Sequence, residues 1–309
     1  MITSVFIKST PLNYSLVVIL ILVFFFMFQI KDPTWVSSYF LAFQKVSLLC
    51  FILASFFMIN FIVKKNGLSK DNGYAILFYL LFLLFFPTIF NNANVVYANF
   101  FILLSLRRLV SLQSLKASKE KIFDAAFWIF VASLFQFWSI LFLLLVYISI
   151  IFHVSRDYRN WVLPFIAFLA VAILFYMISL IFNIDAVAFI QQRAVLDFKI
   201  DYFKNNYENA ALSIYTAVTL FFVTSMLMTL SNRPQIVHSS YKKIVAYFFI
   251  AVLVFLISPN KSNDLLLFSI APLTIIAASH VEYMQQKLNN EIVYYVLIVC
   301  SLFTFFSQL

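Results

Sequence analysis

An all-α, polytopic membrane fold is what this sequence predicts, and three observations predict it. Of 309 residues, 64% are hydrophobic and 11% charged, against about 45–50% and about 25% in a soluble domain. The apolar residues fall in successive runs, most of them long enough to cross the hydrocarbon core of a bilayer as a helix, which takes roughly 20 residues. Aromatic residues make up 20% of the chain, with 41 Phe, while glycine is confined to Gly67 and Gly73. This composition excludes a water-soluble globular protein, a disordered tail and a secreted disulfide scaffold.

The first span is expected at about 12–30. It follows a lone Lys8, and no small-residue cleavage site comes after it, so it reads as a retained span rather than a signal peptide. Further spans are expected at 46–63, 74–90 and 94–106. Residues 122–152 are apolar almost throughout, yet as one helix they would reach about 46 Å at 1.5 Å per residue. A turn near Gln136-Phe137-Trp138-Ser139 is therefore expected to divide them into 122–135 and 139–152. The remaining spans are 161–182, 211–231, 244–258, 265–279 and 292–308. That makes about eleven, in a single integral membrane domain over residues 1–309.

Charge orients the spans. With the N-terminus in the cytoplasm, 15 of the 21 Lys and Arg fall in cytoplasmic segments, including Lys64, Lys65, Arg107, Arg108, Lys116, Lys119, Lys121, Arg233, Lys242 and Lys243. The six on the other side are Lys31, Lys45, Arg193, Lys199, Lys204 and Lys261. This is the bias of the positive-inside rule, and it accounts for the formal charge of +9 without nucleic acid as a partner. Three connections are long: outer loops at 31–45 and 183–210, and a basic cytoplasmic stretch at 107–121. The last reads as an amphipathic basic helix suited to anionic lipid headgroups.

The spans carry almost no charge. Asp124 lies just inside the fifth and Asp264 opens the tenth. Ion-coupled carriers keep ionisable residues near the midplane, so a coupled transporter is disfavoured. Cys50 and Cys300 lie in apolar runs and read as packing residues. His153, His238 and His280 lack ligand spacing, so neither a metal nor a cofactor is expected. There is no phosphate-binding glycine loop and no nucleophile elbow.

The outer face gathers the candidate chemistry. Pro33 biases Asp32 toward extended backbone, which would hold its carboxylate at the membrane boundary as a general base. Arg193, Lys199, Lys204 and Lys261 are the cations able to neutralise a lipid-linked phosphate. A solvated rim of mixed charge is the competing reading. Within the second outer loop, Val187, Ile190 and Ala194 fit a short surface helix. Leu196, Phe198, Ile200 and Tyr202 alternate with Asp197, Lys199 and Asp201, which suggests an extended segment.

Three stretches carry a resemblance. They are Tyr97-Ala98-Asn99-Phe100 through Leu106-Arg107-Arg108, then Ile122-Phe123-Asp124-Ala125-Ala126-Phe127-Trp128, then Arg156-Asp157-Tyr158-Arg159-Asn160-Trp161. Together with outer loops after the first and seventh spans, this order resembles the C-type glycosyltransferase superfamily over about residues 12–230. Those enzymes use polyprenyl-phosphate sugar donors and carry an acidic catalytic residue in the first outer loop, here Asp32. The usual acidic pair is reduced to this one residue. The chain also looks like an uncharacterised family of integral membrane proteins from Bacteroidota. The resemblance implies an inner-membrane, glycosyltransferase-like protein acting on polyprenyl-phosphate-linked sugar at the outer face. A non-catalytic subunit or scaffold of a cell-envelope complex, with a protein partner, is the alternative. A lipid transporter stands third.

Overall fold

The computed structural model describes residues 5–198, 205–259, 261–283 and 287–309. Its helices are α1 (Pro11–Ile30), α2 (Tyr39–Lys65), α3 (Tyr74–Leu83), α4 (Ala93–Ser111), α5 (Ser118–Phe135) and α6 (Leu143–His153). They continue as α7 (Arg159–Ile181), α8 (Ala186–Arg193), α9 (Asn206–Thr229), α10 (Gln235–Ile257), α11 (Leu267–Tyr283) and α12 (Lys287–Gln308). Short 3-10 turns at Pro33–Ser37, Pro87–Asn91, Phe137–Phe142 and Asn263–Leu266 lead into or out of them. Among the described residues, eight helical stretches are long and apolar enough to cross a membrane, and two shorter apolar ones are Tyr74–Leu83 and Phe137–His153. The chain is a helical, multi-pass membrane protein.

At the centre sit α3 and α11. All ten residues of α3 are buried, and α11 is buried from Leu267 to Val281. A helix that is apolar all round belongs inside a bundle. Phe78, Phe82, Phe85 and Phe86 reach from α3 and its continuation to Tyr215 and Phe222 of α9 and Tyr294 of α12, with ring centroids 4.9 to 6.3 Å apart. Most of these pairs are edge-to-face, the arrangement the ring quadrupoles favour. Tyr215 completes the layer by sharing a 2.8 Å hydrogen bond with Ser269 Oγ of α11.

At the periphery lies α7. Ala167 and Val171 pack against Ala126 and Phe130 of α5, the small residues letting the two backbones approach. Phe165, Ile166, Phe168, Leu169, Ile173 and Leu174 are left exposed.

Contacts between the connections define two ends. At one, Gln29 Nε2 donates to Phe90 O (2.9 Å), Gln136 Nε2 to Ser258 Oγ (3.3 Å), Trp138 Nε1 to Val195 O (3.0 Å) and Asn263 Nδ2 to Glu208 O (3.2 Å). The opposite, basic end holds ion pairs Lys64–Asp71 (2.9 Å), Arg108–Asp124 (2.8 Å) and Lys119–Asp157 (3.3 Å). There Lys243 Nζ, fully buried, donates to Leu109 O at 2.7 Å.

The expected turn within 122–152 falls at Gln136, which is extended (φ −129°, ψ 104°) between α5 and the 3-10 turn. Three expectations are corrected. The run over 74–90 is not one helix, because α3 stops at Leu83 and the chain breaks ahead of Pro87. Helix α2 starts at Tyr39 rather than 46, because Lys45, the apparent boundary, donates to Asn91 Oδ1 and is accommodated within the helix. The basic stretch 107–121 is not one helix either. Leu115 (φ 55°) and Ala117 (φ 48°) turn left-handed, and α5 begins afresh at Ser118.

Candidate functional site

The site begins with the broken helix. Phe86 precedes a proline and is pushed out of helical geometry (φ −132°, ψ 76°), as the clash with the proline ring requires. The break removes helical partners from nearby carbonyls, and a buried carbonyl must find a donor elsewhere. Gln308 Nε2 of α12 donates to Phe85 O at 3.0 Å. Buried Gln29 of α1 donates to Phe90 O at 2.9 Å and to Asn91 Oδ1 at 3.3 Å. Irregular backbone at such a place is tolerated where protein buries it or it lines a cavity. Here it does both, and it presents Thr88, Asn91 and Asn92.

Asn92 works in two directions. Its Oδ1 caps α4 by accepting from Val95 N (3.4 Å), and its Nδ2 donates to Asp264 Oδ2 at 3.1 Å. Asp264 sits in the 3-10 turn ahead of α11 and is only 8% exposed. Thr88 Oγ1 donates to its other carboxylate oxygen, and Ser262 Oγ lies 3.3 Å from Oδ2. A cavity of about 420 Å³ opens onto this carboxylate, lined also by Gln44, Thr88, Asn91, Asn92 and Asn94. A second, of about 290 Å³, shares Asn92 and Asn94 with the first and reaches Gln136, Gln192, Arg193 and Ser262. Together they make one polar groove, with Asp264 in one half and Arg193 in the other.

Arg193 ends α8, whose first turn is capped by Asp185 Oδ1 accepting from Val187 N (2.9 Å) and Ala188 N (3.1 Å). Its guanidinium lies 3.8 Å from the Phe189 ring centroid and donates to Leu134 O in the last turn of α5. Helix C-termini leave such carbonyls unpaired. Arg193 therefore ties α8 to the end of α5 and, half-buried, lines the second cavity.

The other expected site residues lie elsewhere. Asp32 is exposed and caps the turn after α1, accepting from Thr34 Oγ1 (2.7 Å) and Thr34 N (3.2 Å). The Thr34 hydroxyl, and then its N–H, hold the Asp32 carboxyl below the usual carboxylate range, which makes it a weaker base. Lys261 Nζ donates to Asp197 O, and Asp197 N donates to Ile257 O at 3.2 Å. These bonds fasten the segment after α8 to the loop before α11. Lys199 and Lys204, with Ile200 to Tyr202 of the expected extended segment, lie outside the described residues. The expected surface helix is α8, Ala186–Arg193.

Sequence reasoning placed Asp264 at the start of the tenth span but did not join it to Thr88, Asn91 and Asn92. The available signal was Asn91-Asn92-Ala93-Asn94, a polar run that interrupts the apolar chain shortly after Pro87. Amides and hydroxyls in this number offer donors and acceptors to a hydroxyl-rich headgroup. The guanidinium suits phosphate, which it can grip with two parallel bonds. The carboxylate can accept a proton from a hydroxyl. Among the described residues, no group of three or more His, Cys, Asp and Glu is placed to hold a metal ion.

The model of DUF6427, a family of unknown function, matches residues 5–309. The chain belongs to the DUF6427 family. The match spans the groove and the basic end alike, so both are parts of one DUF6427 unit. No curated protein and no solved structure matches this DUF6427 chain.

Proposed function

We propose that this protein lies in the bacterial cytoplasmic membrane and receives a polyprenyl-phosphate-linked sugar in the Asp264–Arg193 groove at its outer face. The single observation that supports this most is the groove itself, where a buried carboxylate and a half-buried guanidinium stand in two cavities joined through Asn92 and Asn94. On this reading the chain crosses the membrane about eleven times, with α3, α5 and the stretch 137–153 added to the eight long helices. The cation bias supports a cytoplasmic basic end and N-terminus.

In the transfer, Arg193 neutralises the phosphate. Asp264 takes the proton of an acceptor hydroxyl as its oxygen bonds to the sugar's anomeric carbon. The bond from that carbon to the phosphate oxygen breaks, and polyprenyl phosphate leaves with the electron pair. Asp264 then fills the role that the C-type glycosyltransferase resemblance gives to Asp32, because Asp264 opens onto the groove and Asp32 does not.

A second reading has its own observation. Thr88, Asn92 and Ser262 already bond both carboxylate oxygens of Asp264, so its acceptor sites are engaged within the fold. Such a carboxylate staples the broken helix to α11 in a non-catalytic subunit of an envelope complex.

Purification in mild detergent, with mass spectrometry of bound lipids and proteins, separates the two. The enzyme reading expects a polyprenyl-phosphate lipid on the native protein and its depletion in Asn94→Leu, a change at an exposed groove residue. It also expects Asp264→Asn to retain that lipid while losing release of polyprenyl phosphate, with Asp32→Asn still active. Bulk phospholipid alone, beside a stoichiometric protein partner, would overturn it in favour of the subunit.

A further inference from the structure

A larger cavity lies at the other end of the molecule. It measures about 540 Å³ and is lined by five cations: Lys65 from the end of α2, Arg107 and Arg108 from α4, Lys116 from the turn, and Lys121 from α5. Asn66, Ser111, Gln113 and Ser114 complete its wall. Lys65 Nζ and the Arg107 guanidinium lie over the same Phe61 ring, 5.0 and 4.8 Å from its centroid. Lys121 Nζ donates to Ser111 O and Ser114 Oγ, both at 2.8 Å, which folds the turn back over the cavity. Lys116 is held between the left-handed residues Leu115 and Ala117. Among the described residues, one carboxylate comes within salt-bridge distance of the five, Asp124 at 2.8 Å from Arg108.

Membrane orientation explains why cations gather at this end, since the rule counts charges on one side of the bilayer. It does not explain their convergence from four segments onto one concave wall, where like charges repel. Something of opposite sign is needed to offset that repulsion, and amide and hydroxyl groups around the rim suit an oxyanion with several acceptor oxygens. We infer that this cavity is a binding site for a phosphate-bearing anion, distinct from the groove at the opposite end and independent of the reading given to it. Phosphate chemistry of this kind comes either on a soluble di- or polyphosphate or on an anionic lipid headgroup, which Phe61 beside the cavity would admit.

The test uses the full chain in nanodiscs of phosphatidylcholine, titrated with inorganic pyrophosphate by calorimetry. In parallel, native mass spectrometry reads lipids retained after reconstitution with mixed phosphatidylcholine and phosphatidylglycerol. The variants are Arg107→Gln and Lys116→Glu, the second at an exposed position in the turn, where folding is not at stake. Saturable pyrophosphate binding, weakened by about tenfold or more in both variants and screened by salt, establishes a site for a soluble phosphate. Retained phosphatidylglycerol, lost in both variants without pyrophosphate binding, establishes the lipid headgroup. Ser37→Ala, in the turn after α1 at the other end, should change neither signal. If neither probe binds, or Lys116→Glu binds as the native protein does, the inference is overturned and the cations serve orientation alone.

Discussion

Replacing Gln29 by leucine tests whether the broken helix is held in place by borrowed hydrogen bonds. The substitution keeps the volume nearly constant and removes the amide that donates to Phe90 O at 2.9 Å. Gln29 is 3% exposed and Phe90 0%, so water cannot replace the lost donor. A buried group deprived of its partner costs about 1–3 kcal/mol. The carbonyl is neutral and its bond length ordinary, so the middle of that range applies. A loss of about 2 kcal/mol is a factor of about 30 in the unfolding constant. Reversible unfolding of the purified protein in mixed micelles of rising denaturing-detergent fraction would read it. Gln308→Leu, which strips Phe85 O of a 3.0 Å bond, should lose a similar amount. Gln44→Leu, at an exposed groove residue, should stay within about 0.5 kcal/mol of the native protein. If Gln29→Leu unfolds where Gln44→Leu does, the reasoning fails, because the Phe90 carbonyl must then have another donor.

Three further outcomes are expected. Phe222→Ala, in the aromatic layer where Phe222 is 1% exposed, should destabilise by about 2 kcal/mol in the same assay, below the roughly 3–5 kcal/mol of the same truncation in a soluble core. The cavity cost survives inside a membrane protein, while lipid tails reduce the transfer cost. Ala117→Gly should raise stability slightly and Gly67→Ala should lower it, since both positions are left-handed (φ 48° and 61°). No atom stands within 4 Å of a Cβ added at Gly67, so that loss would be conformational, of the order of 1 kcal/mol. Asp32 is held below its ordinary pKa by Thr34, so its small contribution to stability is complete above the unfolded carboxyl range near 4 and fades as pH falls through the lower folded value. In infrared titration of isotopically labelled aspartate, Thr34→Ala should move that carboxyl's titration upward; an unchanged profile would remove Thr34 as the cause.

Fold and site were legible to different depths. Residues 122–152 were too long for one crossing, and length arithmetic alone placed the break found at Gln136. The 74–90 run was the right length for a single span, so length gave no warning, although Pro87 supplied the physical cause in plain view. The cations of the basic stretch could be read, but not the cavity they line. Its shape depends on left-handed Leu115 and Ala117, neither of which is a glycine or asparagine that would announce such a turn. Asp264 and Thr88 stand far apart in sequence, and only the packing of the broken helix on α11 brings carboxylate and hydroxyl together. Asp32, conspicuous beside Pro33, satisfies its own turn instead.

The central pair of helices also dictates an order of assembly. Helix α3, at ten residues, would span only about 15 Å, half the thickness of the hydrocarbon core. It emerges from the ribosome early, and α11, against which it is buried, is synthesised near the end of the chain. Until then the carbonyls around Pro87 lack the Gln308 donor, and Asp264 is not yet present to bind Thr88 and Asn92. The nascent protein must therefore hold a short apolar helix in reserve while most of its remaining helices are made, which gives its last two helices the part of a keystone.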